Sequence, residues 1–275
     1  MAQDTDRTAA RRVIIHCGVQ KTASTAFHHF VQKNRDALSA QLDIQTPVKG
    51  SLMRNLGRSA ALYSLGDEPE ASFTGLIDQM REALEQGSKP ALLSHENLPG
   101  AMLGRDGVVT LYPKLEDILG LLDAHLAPFK THYVFHTRDM AGWKNSVYNQ
   151  AVRSDSYAET RETFLQQTAD CGTWADLEAR VAAQVGADRV TFLKVEDEPE
   201  RDRPGQRLLR LCGVSEPVLA SLNPVSGSRN ESLSPGALEF LRRVNGAKLP
   251  RAERRKVAKL ILDSEALFQS DEVPG

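Results

Sequence analysis

Cysteine is scarce in this sequence, and long apolar runs are absent. The three cysteines are odd in number, far apart and without the CxxC or Cys/His spacing of a zinc site; they are Cys17, Cys171 and Cys212. We therefore expect neither a disulfide framework nor a bound metal. No apolar run approaches the roughly 18 residues that cross a bilayer, and residues 1–12 lack the apolar stretch of a signal peptide. These features predict a cytoplasmic protein with no integral membrane segment.

An excess of charge of one sign is also lacking. The 34 Lys and Arg residues nearly balance the 36 Asp and Glu residues, so the formal net charge is -2. A chain with so little net charge has no overall field that attracts a polynucleotide or an anionic membrane. Nucleic acid is therefore not an expected partner, and any anion site must be local.

Short apolar runs alternate with longer segments of helical periodicity. The runs predict strands at 13–17, 43–48, 91–95, 132–137 and 189–195, and the segments predict helices at 24–39, 73–86, 114–125, 143–152 and 174–185. Strands that alternate with helices are typical of βαβ units, so we predict an α/β fold with three layers, αβα, around a central parallel sheet. After residue 200 the pattern is helical only. We expect a flexible tail over 1–12 and a single α/β domain over 13–270 with a helical C-terminal part.

Residues 17–25, CGVQKTAST, join the first predicted strand to the first predicted helix. Such a junction directs free backbone N–H groups and the positive end of a helix dipole at one point, which favours a phosphate. Lys21 adds a mobile positive charge, and hydroxyl groups follow at Thr22, Ser24 and Thr25. The Walker A pattern is not met, because Lys21 follows Gly18 by three residues and Ala23 stands where a second glycine is expected. The alternative is an ordinary helix start capped by Ser24.

A second element, YVFHTRDMAGWKNSVYNQAV, lies further along the chain. Arg138 follows a predicted strand directly, and Ser146 comes eight residues later, about two turns into a helix. An arginine at a strand end offers a planar fork to a phosphate, and a serine on the following helix can donate to the same group. Taken alone, the element favours a structural interpretation, with Arg138 in a local ion pair with Asp139 and Ser146 as a neutral surface residue.

Together, KTAST at 21–25 and RDMAGWKNS at 138–146 resemble the sulfotransferases that use 3'-phosphoadenosine 5'-phosphosulfate. The resemblance implies a P-loop-like nucleotide-binding fold in which the first loop binds the 5'-phosphosulfate through Gly18, Lys21, Thr22, Ala23, Ser24 and Thr25. It implies that Arg138 and Ser146 bind the 3'-phosphate, although Met140 replaces the family's usual proline. The resemblance extends to FLKVEDEPERDRPGQRLLRLCGV and SRNESLSPGALEFLRRVN. In the second of these, the resemblance implies that Arg229 and Asn230 close over the 3' side of the nucleotide, and a solvated turn is the alternative.

The reaction implied by the resemblance moves a sulfuryl group to a hydroxyl or amine of a small molecule or carbohydrate. Its other product is adenosine 3',5'-bisphosphate, and it requires no metal. Negative charge builds on the bridging oxygen of the leaving phosphate during such a transfer. Lys21, reaching from the loop, is the residue expected to neutralise that charge.

The acceptor must lose a proton as it attacks, so a general base is expected near the loop. KPALLSHENLPG offers His95 and Glu96 at the end of a predicted strand, where members of the family place either a histidine or a glutamate. Because successive strand residues point to opposite faces, at most one of the two faces the acceptor, and we favour Glu96. Structural roles are expected for the other histidines near the loop, namely His16, His28 and His29.

Two alternatives from other classes remain open. A P-loop nucleotide kinase would use ATP and magnesium, which the displaced Lys21 argues against. A non-catalytic protein of the same fold would bind the nucleotide and be indifferent to replacement of His95 and Glu96. The acceptor is not identified, although residues 48–72 are expected to form part of its wall. The oligomeric state is open as well, because LILDSEALF fits either a packed helix or a homodimer contact.

Overall fold

The computed structural model of the protein describes residues 11–225, 233–247 and 249–268. These residues form two compact units. The first unit comprises residues 11–101, 112–139 and 173–225, and the second comprises 102–111, 140–172 and the described residues from 233 onward.

A parallel sheet of five strands lies in the first unit, in the spatial order β2-β3-β1-β4-β5. The strands are β1 (Arg12–His16), β2 (Asp43–Gln45), β3 (Ala91–Ser94), β4 (Lys130–Thr137) and β5 (Val190–Lys194). The middle of the sheet is buried on both faces, as Val13, Ile14 and Ile15 illustrate with no exposed area. Continuous apolar strands of this kind are typical of parallel sheets, because helices cover both of their faces.

The α-helices of the described residues are, in chain order, α1 (Ser24–Lys33), α2 (Arg35–Ser39), α3 (Leu52–Leu65), α4 (Glu70–Glu85), α5 (Leu115–Leu126), α6 (Met140–Ser154), α7 (Arg161–Gln167), α8 (Trp174–Val185), α9 (Gln206–Leu211), α10 (Glu216–Ser221), α11 (Pro235–Gly246) and α12 (Arg251–Asp263). Helices α6, α7, α11 and α12 belong to the second unit, and the others belong to the first.

Two helical layers enclose the sheet of the first unit. On one face, Ile14, Leu92 and Val134 share an apolar core with side chains of α1, α2, α9 and α10. On the other face, the Tyr133 hydroxyl donates to Asp123 of α5 over 2.8 Å, and α5 packs with α3, α4 and α8. The alternation of neighbouring strand residues between two faces produces these two cores.

The connections that follow the neighbouring strands β1 and β4 lead to opposite sides of the sheet. The chain leaves β1 towards β2 on one side of the sheet, whereas it leaves β4 towards β5 on the other side. In open parallel sheets, ligands bind outside the carboxyl ends of the strands at such a switch point. The segments that follow β1 and β4 therefore occupy the position where a ligand site is expected.

The second unit is helical, and helix caps and side-chain hydrogen bonds stabilise it. The hydroxyl of Ser234 accepts a hydrogen bond from the N–H of Ala237 at the start of α11, where Pro235 occupies the first turn. The Asn245 amide donates to the carbonyl groups of Val152 and Tyr157, each over 2.8 Å. These bonds tie α11 to the end of α6 and to the segment after it.

Most predicted elements of the α/β fold are confirmed. All five predicted strands are present, and α4, α5, α6 and α8 correspond to four of the five predicted helices. The fifth, predicted over 24–39, is interrupted at Asn34, whose side-chain amide donates to the carbonyls of Phe30 and Asn223. The prediction of one domain over 13–270 stays a prediction.

No helix was predicted over residues 48–72, which are expected to form part of the acceptor wall, but α3 occupies much of this range. Ser51 caps this helix by accepting the N–H of Arg54, and Gly66 ends it in the left-handed conformation. The buried side of α3 includes Gly57, Ser59, Ala60 and Ala61. Small residues on the buried face weaken the apolar periodicity by which a helix is recognised in sequence.

Arg11 is anchored, although it falls within the predicted tail of 1–12. Its side chain is 5% exposed and donates to the carbonyls of Leu84, Gly87 and Lys89 and to the carboxylate of Asp43. Strand β1 accordingly begins at Arg12, one residue earlier than predicted.

Within the described ranges, no helix combines the length and the apolar character that a membrane crossing requires.

Candidate functional site

The loop after β1 has a strained backbone. Cys17 continues the sheet edge by donating its N–H to the carbonyl of Val134 over 2.9 Å. Lys21 and Ala23 then adopt positive φ angles of 68° and 64°. The left-handed region costs a residue other than glycine about 1 kcal/mol or more, so the surroundings must hold this loop in shape.

Gln20, which the sequence patterns did not single out, holds the loop in place through hydrogen bonds of its side chain. Its amide donates to Asn97 Oδ1 over 3.2 Å and to the carbonyl of Gly100 over 3.0 Å, and its oxygen accepts from the Tyr112 hydroxyl over 2.6 Å. Burial raises the pKa of Tyr112, so its phenol remains a hydrogen-bond donor. The loop after β1 is thereby tied to the segment after β3.

Helix α1 begins without a side-chain cap. Ala23 is the N-cap residue, no side chain bonds to the first-turn amides, and the first turn contains no acidic residue. The alternative in which Ser24 caps the helix is therefore wrong, because Ser24 is the first residue inside α1. The N–H groups of a first turn have no partner within the helix, and they lie at its positive end.

The hydroxyl groups of the loop have different surroundings. Thr25 is exposed, whereas Thr22 and Ser24 are 4% and 7% exposed. The Thr22 hydroxyl donates to the carbonyl of Val19 inside the loop. Its proton is thus engaged within the loop rather than directed outward.

Arg138, which follows β4, lies against this loop. Its Nη1 donates to the carbonyl oxygen of Lys21 over 3.3 Å, and the Trp174 indole donates to the carbonyl of Arg138 over 2.8 Å. Within the described residues, the buried Nε of Arg138 has no hydrogen-bond partner. A buried donor without a partner is costly and is often explained by a ligand.

Three other predicted residues are not brought to this loop by the described contacts. Ser146 lies on α6, in the second unit, and is half-buried. Arg229 and Asn230 lie outside the described residues. The roles of all three stay predictions.

His95 follows β3 and is held as a neutral side chain of one tautomer. The backbone N–H of Asn97 donates to His95 Nδ1 over 3.0 Å, which leaves the ring proton on Nε2. Burial lowers the pKa of His95; Glu96 opposes this change, and Arg54 adds to it. The backbone of α3 touches the ring, since a Cβ atom on Gly57 would lie 2.2 Å from His95 Cδ2.

Glu96 faces two imidazoles. Its Oε2 lies 3.6 Å from His95 Nδ1 and 3.9 Å from His28 Nδ1. This oxygen is buried and has no hydrogen-bond partner among the described residues, while the side chain as a whole is 28% exposed. The carboxylate therefore combines access from solvent with a buried, acceptor-only oxygen.

His28 and His16 contact this region, whereas His29 is exposed. Ser94 Oγ, at the end of β3, lies 2.8 Å from His28 Nε2 and 2.7 Å from His16 Nδ1. Burial lowers the pKa of His28 to about 4 and that of His16 well below its usual value. Sequence reasoning expected structural roles for these histidines and gave no sign of their proximity to Glu96.

The fold and site define an α/β protein whose loops after β1, β3 and β4 meet at the switch point of a parallel sheet. No protein-family model, curated protein or solved structure matches the chain. Its function must therefore be argued from these residues.

Proposed function

We propose that the protein is a sulfotransferase that uses 3'-phosphoadenosine 5'-phosphosulfate. It transfers the sulfuryl group to a hydroxyl or amine of a small molecule or carbohydrate and releases adenosine 3',5'-bisphosphate. The proposal depends most on the position of Arg138, whose guanidinium group reaches the carbonyl of Lys21. This contact joins the two sequence elements that resemble the sulfotransferase family.

Donor groups of the site fit an anionic nucleotide. The uncapped first turn of α1 offers backbone N–H groups, and Lys21 adds a cation one turn before them. Arg138 contributes a buried Nε that has no partner among the described residues. We assign the 5'-phosphosulfate to the loop and the 3'-phosphate to Arg138.

One predicted contact of the nucleotide is revised. Because the Thr22 hydroxyl donates to Val19, we assign only the backbone N–H of Thr22 to the phosphate. The exposed Thr25 remains available as a hydroxyl donor.

Lys21 is assigned to the leaving group. As the sulfur–oxygen bond of the donor breaks, negative charge develops on the bridging oxygen of the departing phosphate, and a nearby ammonium group stabilises it. Lys21 precedes the first residue of α1 by three positions, so its ammonium group can serve a phosphate bound to the first-turn amides.

Glu96 is a better candidate than His95 for the general base. His95 Nδ1 already accepts the N–H of Asn97, and its Nε2 carries the ring proton, so this imidazole has no free lone pair for an incoming proton. Glu96 Oε2 accepts no hydrogen bond from the described residues. We therefore assign proton removal to Glu96 and an orienting role to His95.

Calorimetric titration with adenosine 3',5'-bisphosphate, ADP and ATP, each with and without magnesium, tests the proposal. We expect the bisphosphate to bind most tightly, with an affinity that magnesium does not change. Tighter binding of ATP in the presence of magnesium would favour the nucleotide kinase instead. If none of the three nucleotides bound, both functions would be excluded.

A further inference from the structure

A continuous line of polar side chains crosses the carboxyl ends of β3, β1 and β4. It starts at Glu96, whose Oε2 lies 3.9 Å from His28 Nδ1. His28 Nε2 contacts Ser94 Oγ over 2.8 Å, and Ser94 Oγ contacts His16 Nδ1 over 2.7 Å. His16 Nε2 in turn contacts His136 Nδ1 over 2.7 Å. We refer to these four central side chains, His28, Ser94, His16 and His136, as the imidazole line.

The line ends at a second carboxylate, Glu198. Its Oε1 lies 4.0 Å from His136 Nε2, and its side chain is only 9% exposed. Neither carboxylate oxygen makes a hydrogen bond of normal geometry within the described part of the chain. Burial raises the pKa of Glu198, which the backbone N–H groups of Arg207 and Gln206 partly oppose. A buried carboxylate of this kind is suited to hold a proton.

The register of the sheet explains why these side chains meet. His16 lies opposite Ser94 in the pairing of β1 with β3, and it lies opposite Val134 in the pairing of β1 with β4. His136 is two residues beyond Val134, so it points to the same face of the sheet. The Cα of Gly18 lies against this line, since a Cβ there would be 2.9 Å from His16 Nε2. The line thus touches the loop after β1.

The imidazoles of the line are uncharged near neutral pH. Burial lowers the pKa of His28 and of His136 to about 4, and that of His16 well below its usual value. A neutral imidazole has one N–H and one lone pair, and Ser94 has one hydroxyl proton. When Ser94 donates its hydroxyl proton within the line, all hydrogen bonds along the line run in the same direction. The line can direct an N–H at Glu96 or at Glu198, but not at both.

We propose that Glu96 and Glu198 share one proton through the imidazole line, and that Glu198 holds it when Glu96 acts as the base. This inference rests on the proposed function for the role of Glu96. In the active arrangement, Glu198 donates its O–H towards His136 Nε2, and His28 directs its Nδ1–H at the ionised Glu96. Glu198 and the residues of the imidazole line are then positioning residues, because they fix the direction of the N–H that faces Glu96.

The exchange between the two arrangements moves one proton and conserves charge. The Glu198 O–H bond breaks as His136 Nε2 gains a proton, and His136 Nδ1–H passes its proton to His16 Nε2. His16 Nδ1–H then protonates Ser94 Oγ, whose original proton goes to His28 Nε2, and His28 Nδ1–H passes its proton to Glu96. Each imidazole changes tautomer and remains neutral. The end distances of 3.9 and 4.0 Å exceed hydrogen-bond lengths, so each end exchanges through a water molecule or a carboxylate rotation.

Other charged groups bias the exchange. His95 and Glu96 face His28, and Arg54 faces His95. At the far end, Arg207 acts on both His136 and Glu198, and Arg210 acts on Glu198. The two arginines favour the ionised form of Glu198, whereas its burial favours the protonated form.

Nitrogen NMR of the histidine rings tests the proposal, because the two tautomers of an imidazole have distinct ring-nitrogen shifts. In the native protein at pH 7 we expect the ring proton of His136 mainly on Nδ1. Glu96→Gln removes the negative charge that attracts the N–H of His28. We expect the ratio of Nδ1–H to Nε2–H at His136 to fall about tenfold, the effect of a charged acceptor on one hydrogen bond.

Ser94→Ala interrupts the line and provides the control for a direct electrostatic effect. In this background, Glu96→Gln is expected to leave the tautomers of His136 unchanged; Ser94→Gly serves if the alanine variant does not fold. Glu82→Gln, an exposed carboxylate on α4, is the matched control in the native background. An unchanged His136 in Glu96→Gln, or an equal change when Ser94 is replaced, would overturn the proposal.

This experiment uses the protein without nucleotide or acceptor. Its outcome is therefore separate from that of the nucleotide titration. If the tautomers of His136 depend on Glu96 but the bisphosphate does not bind, the shared proton is supported and the sulfotransferase function is excluded. If the bisphosphate binds but the tautomers of His136 do not depend on Glu96, the sulfotransferase function is supported and the shared proton is excluded.

Discussion

Imidazole groups are buried at the carboxyl ends of β1 and β4, and burial keeps them uncharged. His16 and His136 are 1% and 4% exposed. A buried imidazole loses hydration when it is protonated, so its neutral form is favoured. The protein should therefore lose stability where these groups are forced to bind protons.

The pH dependence of stability tests this at His136. Its pKa is about 4 in the folded protein, against about 6.5 in an unfolded chain, so between these values the unfolded state binds more protons. The stabilisation is fully present above about pH 6.5 and is lost as pH falls towards 4, at about 1.4 kcal/mol per pH unit. We expect His136→Gln to reduce the slope of unfolding free energy between pH 6 and 4.5 by about this amount, measured by urea denaturation at each pH.

His29→Gln replaces an exposed histidine on α1 and should leave the slope unchanged. An identical slope in the native protein and in His136→Gln would show that His136 is not held neutral by burial.

Sequence reasoning named some residues of the candidate site and missed others at this scale. Lys21, Arg138 and Glu96 were predicted because each lies in a short pattern after a strand. Gln20 and His28 were missed, since their contacts join residues far apart in sequence, such as His28 with Ser94 at a separation of 66. Local patterns carry no information on such contacts.

Helix α3 packs its backbone directly on the site. Gly57 allows this approach, because His95 Cδ2 and Cγ would lie 2.2 and 2.3 Å from a Cβ at that position. Glycine destabilises a helix interior by about 1 kcal/mol relative to alanine. At this position the lower helix propensity accompanies the close packing of α3 on His95.

Gly57→Ala should destabilise the protein despite the higher helix propensity of alanine. The added methyl group must displace the buried ring of His95, and overpacking of this kind costs about 1–3 kcal/mol. We expect the free energy of unfolding in urea to fall by up to about 2 kcal/mol after the propensity gain is subtracted.

The matched control is Gly75→Ala on α4, where a Cβ would meet no atom within 4 Å. This change should raise the free energy of unfolding by about 1 kcal/mol. If Gly57→Ala raised stability as much as Gly75→Ala, the close approach of α3 to His95 would be refuted.

The elements of the first unit were largely predictable because their apolar periodicities are strong. Strand β1 and helix α5 illustrate this, with continuous apolar residues in the first and a regular buried stripe in the second. Helix α3 was not predictable, because its buried face consists partly of glycine, serine and alanine. The periodicity that predicts helices is therefore weak at α3, the helix whose Gly57 packs on His95.

At the scale of the whole molecule, the sheet joins two loops that are distant in sequence. Arg138 and Lys21 are 117 residues apart, and their contact results from the adjacency of β4 and β1. The α/β class followed from the alternation of strands and helices, but the strand order did not, because periodicity does not specify which strands pair. The resemblance of two motifs predicted a shared site, and strand order supplies the geometry that brings Arg138 to the loop.

The most direct test compares two nucleotides in the native protein and in two variants. The affinities of adenosine 3',5'-bisphosphate and of adenosine 5'-phosphate, which lacks the 3'-phosphate, are measured by calorimetry for the native protein and for Arg138→Gln. Arg35→Gln, an exposed arginine on α2, is the control. We predict that the native protein and the control prefer the bisphosphate by about 10- to 100-fold, as expected for hydrogen bonds to a charged group, and that Arg138→Gln loses most of this preference. An equal preference in Arg138→Gln and in the native protein would contradict the account.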